Sequence, residues 1–175
     1  MKSLSRTIIG AIVGLLTVTA VTAEMTDQQI YAEAPNGIAD EAKPVALSCI
    51  YLRQGELSKF KRILSKEALA YFEQQLAADK DSFSKLQKRE KELPFDVKST
   101  TYHVVPQQSV NKELADFGPD VNPPRMKEGI ETITMETPTQ SGARGPNYVV
   151  KEGGLWRLAV LDGMPPTTIW DKVPQ

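Results

Sequence analysis

From Asp40 onward the apolar residues recur first at helical spacing and then, past Pro94, at strand spacing. A helix is predicted from about Asp40 to Gln54. Asp40 caps it, Pro44 fits the first turn, where amide donors lack partners, and Gly55 suits its exit. Its inward residues are Val45, Cys49, Ile50 and Leu52. A shorter helix from about Glu56 to Leu64 places Leu57, Phe60, Ile63 and Leu64 on one stripe. Ser65 caps a third stretch that must stop before Pro94, because a residue preceding proline is pushed out of the helical region. Leu69, Phe72, Leu76, Phe83, Leu86 and Leu93 approach a heptad there, with Asp79 and Glu90 at the positions the stripe skips. So few intact heptads favour a helix lying on a sheet, broken near Asp79–Ser82, over a coiled-coil surface. The mixed charges from Lys85 to Glu92 form its solvated face.

Past Pro94, Phe95 to Val105 reads as a strand with Phe95, Val97, His103 and Val105 on one face. The stretch 106–128 carries Pro106, Pro119, Pro123 and Pro124 and reads as a long loop, the kind of segment that carries recognition. Gly129 to Thr137 is the next strand, with Ile133 and Met135 opposite Ile130, Thr132 and Thr134. Pro138 to Pro146 is turn-like. Tyr148 to Asp162 then forms a hairpin about Gly153-Gly154, since glycine reaches the positive φ angles a two-residue turn requires. That turn sets Glu152 opposite Leu155, Lys151 opposite Trp156, Val150 opposite Arg157 and Val149 opposite Leu158. Alternation puts Val149, Trp156, Leu158 and Val160 on one face, and Tyr148, Val150, Arg157, Ala159 and Leu161 on the other. Thr167 to Trp170 can add a short edge. Helices first, then about four strands without helical crossovers, define an α+β domain. Its helices pack on one face of a curved antiparallel sheet, with a cavity between them.

Leu52-Arg-Gln-Gly-Glu56, followed by Phe60 and the Leu64-Ser-Lys-Glu-Ala68 step, resembles the start of small NTF2-like domains of the ketosteroid-isomerase (cystatin-like) superfamily. In those, one helix ends at a glycine-acidic turn and the next at a leucine-serine step. Val150-Lys-Glu-Gly-Gly-Leu-Trp-Arg-Leu158 is similar to the closing hairpin of the same group, particularly its secreted bacterial members of uncharacterised function. The resemblance covers roughly Asp40 to Asp162. It implies a cone-shaped domain, a curved sheet wrapped by helices, often as a homodimer, but no reaction, because such folds host unrelated functions. None of the superfamily isomerases' base and oxyanion-donor positions can be matched here. Gln108-Ser-Val-Asn-Lys112 lacks the glycine of the cystatin inhibitory loop, which removes protease inhibition by that motif.

The N-terminus changes the picture of where the chain works. Lys2 and Arg6 precede an apolar run from Ile8 to Val18, and Val21-Thr22-Ala23 offers small residues for cleavage: a signal peptide over 1–23. The run is short for a membrane span, which needs roughly 20 apolar residues. Residues 24–39 read as a flexible leader with a short element near Ile30-Tyr31, 40–164 as the domain, and 165–175 as a tail. The mature chain is expected in the periplasm or outside the cell, with no membrane attachment after cleavage. The full chain has 21 basic and 22 acidic residues; losing Lys2 and Arg6 with the signal leaves 19 against 22, a charge of −3 that offers no bulk attraction for nucleic acid. Cys49 is the sole cysteine, so no intramolecular disulfide forms, and its apolar neighbours mark it as a buried, inert thiol.

Candidate chemistry is sparse. His103 is the sole histidine, and neither a metal site nor any cofactor signature emerges. If His103 and Glu131 both point inward they form an acid/base pair of the kind an isomerase or dehydratase uses. The opposing expectation is that both face solvent or pair structurally. Tyr71, Tyr102 and Trp156 are the candidates to line an apolar ligand pocket, although Trp156 is expected in the core. Arg157 is either an anion ligand or plain surface. The first expectation is a non-catalytic module binding a small apolar ligand or an envelope protein. An acid/base enzyme and a structural subunit of an envelope or secretion complex stand beside it.

Overall fold

The computed structural model describes residues 25–93, 96–116, 125–137 and 143–172. The expected signal segment 1–23 lies outside the described residues. The helical half contains α1 (Asp27–Tyr31), a 3-10 turn at Asp40–Ala42, α2 (Lys43–Gln54), α3 (Leu57–Arg62), α4 (Lys66–Ala78) and α5 (Ser82–Lys91). Helix α2 ends where Gly55 takes a left-handed φ of 80° and returns its N–H to the Tyr51 carbonyl at 2.9 Å. Ser65 caps α4 by accepting the Ala68 N–H at 3.1 Å. The third helical stretch does break at Asp79, which is extended. The Ser82 hydroxyl there donates to the carbonyls of Gln75 and Asp79, at 3.1 and 2.7 Å. The break turns Phe72 and Phe83 onto Phe60, whose ring centroid lies 5.3 and 5.9 Å from theirs.

The leader is better ordered than its sequence implies. Its short element is helix α1, begun by a reciprocal capping box between Thr26 and Gln29. Ile30 and Tyr31 are buried in the main core, and Tyr51 donates its hydroxyl to the Ile30 carbonyl at 3.1 Å. Asp27 anchors the start of α1. Its carboxylate accepts from Arg62 Nε at 2.9 Å and from Arg157, whose guanidinium also donates to the Arg62 carbonyl. Arg157 lies over the Tyr31 ring, 5.9 Å from its centroid. Burial alone would raise the proton affinity of Asp27, but Arg157 and then Arg62 outweigh it and hold the carboxyl below its ordinary range. Tyr31 is pushed up to about 12, by burial first and against the pull of Arg157, and its hydroxyl donates to the Trp156 carbonyl. A five-residue helix is too short to show a period, which is why the sequence placed a short element near Ile30-Tyr31 without marking it as helix.

The second half contains β1 (Thr101–Val105), α6 (Gln107–Asp116), β2 (Arg125–Met126), β3 (Ile130–Glu136), β4 (Ala143–Glu152), β5 (Leu155–Leu158) and β6 (Trp170–Lys172). Four strands form one antiparallel sheet in the order β1-β3-β4-β5, so the protein is α+β. The hairpin register is the one the glycine pair implies, with Val149 opposite Leu158 and Glu152 opposite Leu155. The edge of β5 is closed by residues 63–65, which exchange backbone hydrogen bonds with Leu158 at 2.8 and 2.9 Å. Ile133, Met135, Val149 and Leu158 face the helices in the main core. Beyond Leu158 the pleat stops, and the expected faces exchange: Leu161 packs with the main core and Val160 with a second cluster.

That second cluster corrects the reading of 106–128 as a loop. Met126, Ile130, Ala159 and Ile169 are buried together, with Val110, Tyr148, Val150 and Trp170 packed on them. Helix α6 and the two-stranded β2–β6 ribbon thus lie on the face of the sheet away from α2. Helix α6 buries no residue fully, so apolar periodicity could not reveal it. Polar bonds hold it instead. Glu131 accepts the Gln107 N–H at 3.1 Å. The Asn111 amide pairs with the Met126 backbone, accepting at 2.8 Å and donating at 3.3 Å. Asn111→Ala strands the Met126 N–H and is expected to cost about 1–2 kcal/mol. Urea unfolding checks the cost, and faster hydrogen exchange at Met126 checks its location.

Candidate functional site

The expected acid/base pair is not assembled. His103 sits opposite Thr134, and its Nε2 lies 3.2 Å from the Glu136 carboxylate on an exposed surface. Glu131 is three residues from Thr134 on β3 and therefore points to the other face. The inward placement of His103 assumed a continuous strand from Phe95. Val97–Ser99 instead form a 3-10 turn, which resets the alternation: Val97 stays buried and His103 does not. Glu131 is half-buried, and burial raises its proton affinity while the Gln107 N–H works the other way. Its work is to hold the first turn of α6.

The three aromatic candidates also separate. Tyr102 packs on the main core and donates its hydroxyl to the Val97 carbonyl at 3.4 Å. Trp156 is half-buried and packs against the main core from its edge, with the Lys151 ammonium 5.9 Å from its ring centroid. Tyr71 lines a cavity. Arg157, left open between anion ligand and surface, grips Asp27. Cys49 is buried, as its neighbours implied.

The cavity beside Tyr71 belongs to a cleft between α2, α5 and the segment after β5. It consists of three adjoining hollows. The innermost, about 260 Å³, is lined by Ser48, Cys49, Leu52, Met135, Asn147 and Leu161. A second of about 440 Å³ lies under Leu86 and Leu93, and a third of about 230 Å³ lies between Tyr71, Phe72 and Leu86. Asp162 lines all three, and Arg89 donates to it at 3.0 Å between two exposed side chains. Deeper in, buried Glu90 accepts from Arg53 Nε at 3.3 Å. The cleft therefore has apolar walls, a few fixed polar groups and an ion pair at its margin, the usual make-up of a small-ligand site. Leu52 and Leu86 were visible as stripe positions. Nothing in the sequence pairs Arg89 with Asp162, 73 residues later.

Among the described residues no group of three or more histidine, cysteine or acidic side chains could hold a metal, and no helix is long and apolar enough to cross a membrane. No protein-family model matches the chain, and neither the curated proteins nor the solved structures yield a significant match. Its class is accordingly defined by its own architecture, an α+β protein with an antiparallel four-stranded sheet.

Proposed function

We propose that the chain is an exported, non-catalytic binding protein of NTF2-like type that holds a small, largely apolar ligand in the cleft beneath α2 and α5. The cleft carries this reading: Leu52, Leu86, Met135 and Leu161 supply apolar wall, while Asn147 and Ser48 offer polar contacts for orientation. Export is supported by Lys2 and Arg6 ahead of the apolar run and the small residues at Val21-Thr22-Ala23. The NTF2-like assignment is supported by the Leu52–Glu56 and Val150–Leu158 segments together with the antiparallel strand order.

Native mass spectrometry of the mature chain, purified gently from its own envelope, is the test. A retained small-molecule mass is expected, and it should disappear in Leu52→Trp, which fills the cleft from a half-exposed position. A bare wild-type chain, or a mass that Leu52→Trp retains, would remove the cleft as the binding site.

A further inference from the structure

A second concavity, larger than any hollow of the cleft, lies where α3, the start of α4 and the β4–β5 turn meet. Its volume is about 580 Å³. Leu64 and Leu69 form its apolar floor, and Lys61, Arg62, Lys66 and Arg157 bring four cations to its wall. Two carboxylates share the lining. Glu73 pairs with Lys61 at 3.2 Å, and Glu152 accepts the Lys66 backbone N–H at 3.0 Å, so it is committed to the start of α4. Behind the wall Asp27 holds the two arginines. We propose that this groove is a ligand site of its own, for a single-chain amphiphile with an anionic head and an apolar tail.

Three observations select that class. Four cations against Glu73, Glu152 and the Asp27 behind them leave one positive charge in excess, which favours an anion over a neutral molecule of the same shape. The floor is apolar, and Leu69, half-buried beside the buried Leu64, keeps exposed apolar surface that a purely polar anion would leave uncovered. The Arg157 guanidinium is already fixed by Asp27 and the Arg62 carbonyl, with its side chain only 16% exposed, so binding need not order it. The cleft is different: there Asp79, Glu90, Glu92 and Asp162 outnumber Lys85 and Arg89, a balance that disfavours an anion. The two sites sort ligands by charge. A flat anionic membrane fits the groove less well than a monomer, because Glu73 and Glu152 would face the lipid headgroups together with the lysines.

The test is a titration of the isotopically labelled mature chain with decanoate below its micelle concentration, followed by amide chemical shifts. Decanol serves as the neutral probe of equal length, and phosphatidylglycerol vesicles as the membrane probe. Decanoate is expected to shift the amides of 64–69 and of Glu152 and Gly153, and to bind about tenfold more weakly in Lys61→Gln/Lys66→Gln, with weakening also at higher salt. The variant loses the surface Lys61–Glu73 pair, worth at most about 1 kcal/mol, so its melting temperature should fall by no more than about 4 °C. Four results would overturn the proposal: no shifts, shifts confined to Leu52, Glu90 and Leu161 in the cleft, decanol binding the groove as tightly as decanoate, or capture by vesicles without binding of monomeric decanoate. An empty cleft in the mass spectrum leaves this titration unaffected, so the two sites stand or fall separately.

Discussion

Phe60→Ala is expected to be the most damaging single core substitution, lowering stability by about 3–5 kcal/mol, the usual cost of emptying a buried aromatic site. Phe60 is 1% exposed and is the ring on which α4 and α5 both converge. Phe72 meets it edge-on at 71°, and Phe83 at 51°. The three sit on different helices, so the hole cannot close by a side chain swinging within one of them. For a domain of this size the loss should appear as a fall in Tm of roughly 10 °C. Phe60→Leu, which keeps most of the volume, should cost well under half as much. Equal effects from the two variants would mean that the α4–α5 contact is not organised around this ring.

Asp27→Ala is expected to cost about 2–3 kcal/mol, less than a fully buried pair because the carboxylate is still about one-third exposed. Its removal leaves the Arg62 and Arg157 guanidiniums facing each other without a counter-charge. The effect should spread along α1, so that Ile30 and Tyr31 lose hydrogen-exchange protection while the sheet keeps its own. A pH series isolates the electrostatic part. The folded Asp27 carboxyl titrates below its unfolded value, so its contribution is complete above the unfolded pKa near 3.9 and disappears as the pH falls through the lower folded value. The stability gap between the wild type and Asp27→Asn should therefore be constant from pH 5 to 7 and narrow below pH 4. A gap that stays constant down to pH 2 would assign the effect to packing.

Much of the helical half was legible because its signals are local. Ser65 as a cap, Gly55 as an exit and the polar step at Asp79–Ser82 each act within one turn of chain, and each does what its chemistry implies. The register of the β4–β5 hairpin was legible for the same reason, since two glycines fix four cross-strand pairs. Parity failed where one short feature interrupted a strand. The 3-10 turn at Val97–Ser99 moved His103 to the exposed face, and the end of β5 at Leu158 exchanged Val160 with Leu161. Helix α6 was hidden because proline content outweighed a short segment held by amide and carboxylate bonds.

The sequence by itself determined the α+β class, the order of the main elements and the hairpin pairing, because these depend on period, caps and turns within a few residues. Tertiary structure decided the rest. It alone brought Arg89 to Asp162 across the cleft margin, Arg157 to Asp27 across most of the chain, and β2 to β6 on the second face. Contacts of that sequence separation leave no local pattern. They form only once the sheet and helices have fixed the distances between side chains that the chain itself keeps far apart.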